Sequence, residues 1–338
     1  MKLQDVKIIG LSGGYQVAKN IAKILNIRLV DTKVSHFADG EILVVPQETV
    51  RHQHVIVVQS IVKPVNESIM ELLICIDSLK RASARSITVV MPYYGYCRQE
   101  RKTAGREPIT AKLIARLLET AGVDRLVSVD LHADQIQGFF QIPVDIANFG
   151  TNLLSQWYKD KVNSGKTKKQ LLRSTVIVAP DFGGVKRVRS VSKLTGCSMA
   201  ILYKSRPRPN VAEIVNILGN IKNKDCIIVD DIIDMTGTIC AAAKTLKEHG
   251  AKSVTVMASH GILSDPAKER LTKAFKDGFV KELYLANTIP SVTEFKNKHV
   301  RIVDISPFIS GIIEVICSNK MSLSKYVEKY DKKNDPFH

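Results

Sequence analysis

Two tandem, mutually similar doubly wound α/β domains, each a parallel sheet wrapped by crossover helices, are predicted from three observations. Short β-branched runs alternate with segments of helical period along the chain. The two halves match each other over a gapless stretch. The 338 residues, 45 % of them apolar, are room for about two domains.

In the first half, Val6–Leu11 reads as strand and Tyr15–Leu25 as helix, followed by Val55–Gln59 and Asn66–Arg81, Ser86–Met91 and Pro108–Ala121, then Arg125–Asp130. The helix from Asn66 carries Ile69, Leu72, Leu73 and Ile76 at i, i+3, i+4, i+7 spacing, the stripe of an element packed on a sheet. Asn66 is placed to cap its first turn. The second half repeats the rhythm: Thr175–Ala179 and Gly183–Leu194, Asp225–Asp230 and Thr238–His249, then Ser253–Ala258. Parallel strands with crossover helices are expected in both halves.

Thr110 to Ala133 aligns without a gap with Thr238 to Gly261, superposing Thr110 on Thr238, Gly122 on Gly250 and His132 on His260. Any helix–turn–strand unit brings a glycine and apolar positions into register, but the added histidine favours duplication. With a boundary near Phe149-Gly150-Thr151, the domains are 1–149 and 150–320. Residues 321–338 form a basic tail expected to fray.

The formal charge of +16 attracts polyanions of any kind. Aromatics are 6 % and absent between Lys159 and Lys169, which disfavours a single-stranded nucleic-acid reader and favours small phosphorylated ligands. The basic segment Lys159 to Arg173 reads as a solvated surface. No apolar stretch approaches the ~20 residues of a membrane span, and the start lacks a secretory leader, so a cytoplasmic, soluble protein is expected. Six scattered cysteines without a C-x-x-C pair read as reduced core thiols.

The most informative segment is Cys226 to Thr238, a buried strand running through Asp230, Asp231 and Asp234 into a short Met235-Thr236-Gly237-Thr238 turn that opens a helix. Such a turn presents N–H groups at the positive end of a helix dipole, a phosphate cradle at the carboxyl edge of a parallel sheet. Adjacent carboxylates suit a sugar diol or hydrated Mg²⁺, whereas capping alone would need only one. Gly165-Lys166-Thr167 ends like a P-loop but lacks its first glycine and leading strand. His52 and His54 have no third ligand nearby in sequence.

The Cys226–Thr238 segment is similar to the phosphoribosyl diphosphate binding signature, and the chain from Ile8 to Cys317 resembles the ribose-phosphate diphosphokinase family, also called phosphoribosyl diphosphate synthases. The resemblance runs through Phe37-Ala38-Asp39-Gly40-Glu41, Arg98-Gln99-Glu100-Arg101-Lys102, Asp130-Leu131-His132-Ala133, Pro180-Asp181-Phe182-Gly183-Gly184 and Thr288-Ile289-Pro290. It implies transfer of the β,γ-diphosphoryl group of MgATP to the anomeric hydroxyl of ribose 5-phosphate, releasing AMP. On that resemblance, the 5-phosphate sits on Asp234 to Thr238, and Asp230 and Asp231 hold the ribose hydroxyls. Phe37, Asp39 and Glu41 grip adenine from a neighbouring subunit, while Arg98, Gln99 and Arg101 attend the nucleotide. His132 and Asp181 order Mg²⁺, and Lys204 and Arg206 arrive on a mobile loop. The family implies a homo-oligomer, a hexamer built from dimers, with no nucleic-acid or membrane partner.

The sequence departs from the family at points that matter. Met235-Thr236 stands where Thr followed by Ala or Cys is usual, which moves a hydroxyl by one residue and predicts weaker sugar binding. Arg51-His52-Gln53-His54, Asp134 and Ile146 replace residues near the family's regulatory anion site, which predicts blunted control by phosphate. Two other readings share features with this one. A type I phosphoribosyltransferase has the turn but neither the Arg98–Lys102 segment nor a second domain copy. A non-catalytic regulatory homologue would not need Lys204, Arg206, His132 and Asp181.

Overall fold

A computed structural model describes residues 5–205, 214–318 and 321–334, with backbone alone at 204, 205, 214, 215 and 331–334. The elements run β1 (Val6–Gly10), α1 (Tyr15–Leu25), β2 (Thr32–His36), β3 (Ile42–Pro46), β4 (His54–Val58), α2 (Val65–Arg81), β5 (Ser86–Met91), α3 (Thr110–Ala121), β6 (Arg125–Val129) and β7 (Val144–Ala147). They continue with α4 (Gly150–Asn163), α5 (Lys168–Ser174), β8 (Thr175–Ala179), α6 (Val185–Thr195), β9 (Ser198–Ser205), β10 (Ile214–Leu218), β11 (Asp225–Ile233) and α7 (Gly237–Glu248). The last are β12 (Ser253–Gly261), α8 (Ala267–Lys276), β13 (Glu282–Ala286), β14 (Val300–Val303), α9 (Ser306–Ser318) and α10 (Leu323–Asn334).

Contacts divide the chain into two units, Met1–Asn148 with Thr288–Pro290 and Asp304–Tyr330, and Phe149–Asn287 with Ser291–Val303 and Asp331–His338. The first unit holds a parallel sheet of order β1-β4-β5-β6-β7, with Leu29 bridging Ile8 on the other side of β1. Val55 to Val58 of β4 are all buried, as a strand covered on both faces requires. On α2, Ile69, Leu72, Cys75, Ile76 and Leu79 are buried, each worth about 1.5–3 kcal/mol. Asn66 does not cap that helix. Pro64 takes the cap position, Ser68 Oγ ties the entry to Val62 and Val65, and Asn66 Oδ1 instead accepts from the Tyr96 hydroxyl at 2.6 Å. The β2–β3 hairpin is a separate antiparallel pair packed against α2.

Leu323–Asn334, within the segment expected to fray, form helix α10. Helix α9 packs on α1, and Tyr326 and Tyr330 of α10 lie against Phe308, with ring centroids 6.0 and 4.6 Å away. The Tyr326 hydroxyl donates to the Phe308 carbonyl at 3.2 Å, and a Cβ on Gly311 would collide with that hydroxyl. Thus α9 and most of α10 group with the first unit, whereas sequence had placed residues up to 320 in the second domain.

The second unit orders its strands β10-β9-β8-β11-β12-β13-β14, and among the described residues only the β9–β10 pair is antiparallel. At the start of β11, the Asp225 carboxylate accepts from Ser253 Oγ at 2.6 Å and from Lys166 Nζ at 3.2 Å. Burial pushes this carboxyl up, but the Ser253 hydroxyl and the Lys166 charge outweigh it and hold it below the usual range. Lys161 is likewise paired with Glu282 at 2.7 Å beside Trp157. The basic segment is therefore partly anchored rather than simply solvated.

Strand order corrects the register of the duplication. In each sheet the first strand, β1 or β8, is flanked on one side by the next extended segment, Leu29 or β9, and on the other by the strand after the hairpin, β4 or β11. So β11–α7–β12 corresponds to β4–α2–β5, not to the β5–α3–β6 unit that the match of Thr110–Ala133 with Thr238–Gly261 implies. That match is one βα unit out of step, because a helix followed by a left-handed residue and then a buried strand recurs along the chain. The left-handed residue is usually glycine, as at Gly122, Gly196, Gly250 and Gly278, but is Asn26 after α1 and Ser83 after α2. No described helix is long and apolar enough to cross a membrane.

Candidate active site

Strand β11 delivers its carboxylates at its carboxyl end. Asp231 is 5 % exposed, and Arg187 of α6 reaches both acids, with Nη1 3.5 Å from Asp230 Oδ1 and 3.3 Å from Asp231 Oδ1. Asp230 Oδ1 also accepts the Asp231 N–H at 2.9 Å. Burial is the main force pushing the Asp230 carboxyl well above the usual range; Asp231 adds to it, and the Arg187 guanidinium opposes it. Two adjacent carboxylates, one buried and one half-buried, repel, so the guanidinium is what lets them serve as acceptors together. Sequence reading missed Arg187, which sits among Lys186, Arg187 and Arg189 and looks like part of a solvated helix face.

Beyond β11, Met235 is exposed and Thr236 is buried in the left-handed conformation, φ 64°, which a β-branched residue adopts only when its surroundings impose it. Helix α7 then starts at Gly237 with no side chain capping it and no acid in its first turn. Its leading N–H groups have no helical partners by geometry, and the dipole adds partial positive charge there. Asp230, Asp231, Asp234, Met235, Thr236, Gly237 and Thr238 thus lie along one strand end and the helix start that follows it.

In the same unit, Asp181 and Phe182 lie exposed on the β8–α6 turn; Asp181 Oδ1 accepts the Gly184 N–H at 3.1 Å. The Phe182 ring packs on Tyr203 at 5.6 Å between centroids, joining this turn to the strand that leads to Lys204. Residues Tyr203 to Ser205 are not loop but the end of β9, with Lys204 in register with Val215. The Lys204 side chain and all of Arg206 lie outside the described residues.

In the first unit, Phe37, Asp39 and Glu41 form the exposed tip of the β2–β3 hairpin, closed by Phe37 N–H to the Glu41 carbonyl at 2.8 Å and Glu41 N–H to Asp39 Oδ1 at 3.1 Å. Arg98, Gln99 and Arg101 are exposed on the loop between β5 and α3. Gln99 is fixed there, its Oε1 accepting from Thr110 Oγ1 at 2.5 Å, and Arg101 pairs with Glu100 at 3.4 Å. Nearby, backbone and hydroxyl donors of Thr103 and the N–H of Ala104 hold the Glu107 carboxyl below its usual range. His132 follows β6 and is exposed. Of the thiols, Cys75, Cys97, Cys197, Cys226 and Cys317 are buried and form no disulfide among the described residues.

The family description "N-terminal domain of ribose phosphate pyrophosphokinase" matches residues 6–122, and "phosphoribosyl synthetase-associated domain" matches residues 198–327. The chain is 44 % identical over 326 residues to the ribose-phosphate pyrophosphokinase of Ureaplasma parvum, covering 96 % of this chain and 94 % of that one. It is 49 % identical over 284 residues to ribose-phosphate pyrophosphokinase 1 of Listeria innocua, covering 84 % and 85 %. The crystal structure of phosphoribosylpyrophosphate synthetase from Mycobacterium smegmatis superposes with a TM-score of 0.83 at 38 % identity, over 93 % of this chain and 99 % of that one. With a carboxylate-bearing strand end feeding an uncapped helix, and full-length relatives of one kind, the chain belongs to the ribose-phosphate pyrophosphokinase family.

Proposed function

We propose that this chain transfers the β,γ-diphosphoryl group of ATP to the 1-hydroxyl of ribose 5-phosphate, giving phosphoribosyl diphosphate and AMP. The observation that carries the reading is the Asp230–Asp231 pair under Arg187, followed at once by the uncapped start of α7. The pair accepts from the sugar hydroxyls while the turn Asp234 to Thr238 receives the 5-phosphate. This fixes the sugar at both ends and points its 1-hydroxyl at the nucleotide. The bond from that oxygen to the β-phosphorus forms as the bond to the α-phosphate oxygen breaks. AMP leaves with the electron pair, and the hydroxyl proton passes to water.

Such transfer depends on in-line placement and neutralised charge more than on covalent help, so Lys204 and Arg206 on the transferred group are expected to matter most for rate. Arg98, Gln99 and Arg101 hold the nucleotide. Phe37, Asp39 and Glu41, exposed at a hairpin tip, reach adenine in a neighbouring subunit of a homo-oligomer, a hexamer built from dimers.

The side chains assigned to Mg²⁺ fit that ion. Asp181 offers hard carboxylate oxygen and His132 one nitrogen, and both are exposed. Mg²⁺ is usually held by one or two carboxylates, water and substrate phosphates, and Asp181 offers one such carboxylate. When bound, Mg²⁺ supplies positive charge to the phosphate oxygens.

The test is incubation of the purified chain with ATP, Mg²⁺ and ribose 5-phosphate. AMP formed without any added base supports the reading; none formed refutes it, and a regulatory homologue gives that result. Phosphate titration of the same assay tests regulation, with weak dependence expected from the residues at Arg51 to His54, Asp134 and Ile146.

A further inference from the structure

The turn assigned to the 5-phosphate is held by a residue outside every motif in the sequence. Arg270 of α8 donates from Nη1 to the Met235 carbonyl at 2.9 Å, and the same atom lies 3.6 Å from where a Cβ on Gly237 would stand. The guanidinium therefore sits against both flanks of the bend that opens α7. Helix α8 grips the bend a second time, since the buried Thr236 Oγ1 reaches the Ala267 carbonyl at 3.5 Å. These contacts account for the left-handed Thr236, whose conformation would otherwise relax.

An arginine carries five N–H donors in a fixed fork, and the Met235 carbonyl occupies one nitrogen. Among the described residues no carboxylate pairs with this cation. Its charge is nonetheless felt inside α7: burial pushes the Cys240 thiol up, and Arg270 is one of the groups opposing that rise. A cation aimed at an uncapped helix start, with donors to spare, matches a dianionic monoester better than any neutral group.

We propose that Arg270 is a binding residue for the sugar's 5-phosphate, its remaining N–H groups taking phosphate oxygens while Nη1 fixes the bend. The proposal rests on the placement of ribose 5-phosphate given above. It makes the preference for a phosphorylated sugar depend on α8 as well as on the signature turn.

Arg270→Gln and Arg270→Lys in the full chain test it by steady-state kinetics, with thermal midpoints to confirm folding. Expected for Arg270→Gln is a KM for ribose 5-phosphate raised about tenfold, with kcat and the KM for ATP within about twofold of wild type. Arg270→Lys, which keeps the charge and loses the fork, should fall between the two. An unchanged sugar KM overturns the proposal. So does a fall in kcat alone, or a lysine variant as impaired as the glutamine one, since both outcomes mean a purely structural contact. If wild type makes no AMP, it is the parent reading that fails.

Discussion

The turn from β4 to α2 and the turn from β11 to α7 occupy equivalent places in their sheets, but one is filled by the protein and the other is the turn proposed to take the sugar phosphate. In the first unit, Gln59 and Ser60 follow β4 and are fully buried. Gln59 accepts the Gly13 N–H at 2.7 Å, Ser60 donates to the Thr288 carbonyl at 2.6 Å, and Glu71 of α2 accepts from the Ser12 N–H and hydroxyl at 2.9 and 2.8 Å. A Cβ at Gly14 would strike the Val58 carbonyl, so the β1–α1 turn presses directly on the end of β4. In the second unit the strand end itself carries the carboxylates, the helix opposite supplies Arg187, and α7 begins uncapped. On the proposed reading, reversing which side bears the acid turns a sealed joint into a receptor, and polarity at one turn decides which copy binds the sugar phosphate.

That contrast predicts opposite phenotypes for acids in matching neighbourhoods. Glu71→Ala removes an acceptor from the N–H and hydroxyl of the exposed Ser12 and from the buried Gln59 amide, and should cost about 2 kcal/mol. Denaturant unfolding measures that loss, and specific activity of the folded fraction should stay near wild type. Asp231→Asn should do the reverse, lowering kcat/KM about a hundredfold with a small change in midpoint. If both variants lose mainly stability, the second turn is as structural as the first.

Arg187→Gln probes the intermediate case at about tenfold in the KM for ribose 5-phosphate. Arg187, together with the Asp231 N–H, opposes the upward shift of Asp230. Removing it lets that carboxyl titrate at still higher pH, so at any given pH more of it is protonated. The acid limb of the sugar KM profile should therefore move upward in pH. A profile that keeps its position would show that the guanidinium only packs.

The α/β alternation was legible because buried parallel strands must be β-branched runs and their helices must show one apolar face. Cys226 to Thr238 was legible because three carboxylates exceed what a cap needs. Arg187 and Arg270 were not, since each gains its meaning from a partner on another element, and locally each is one more cation in a chain of net +16. The duplication register misled for the opposite reason: its matched residues are what any crossover requires. In the tail, Tyr326 and Tyr330 share a face at i, i+4, but among lysines that pair signals nothing until Gly311 opens a seat for it.

The smallest expected effect lies at Met235, whose side chain is exposed at the bend and offers no donor to a phosphate. Its carbonyl is already held by Arg270, so a change of side chain should leave the backbone course intact. Met235→Thr adds a hydroxyl beside the uncapped helix start, and one neutral-donor hydrogen bond to a charged group should lower the KM for ribose 5-phosphate about threefold at unchanged kcat. Steady-state kinetics of the two proteins at saturating ATP measures it. No improvement would overturn the expectation that Met235 weakens sugar binding, and would leave Arg270 to carry the larger share of the phosphate's charge.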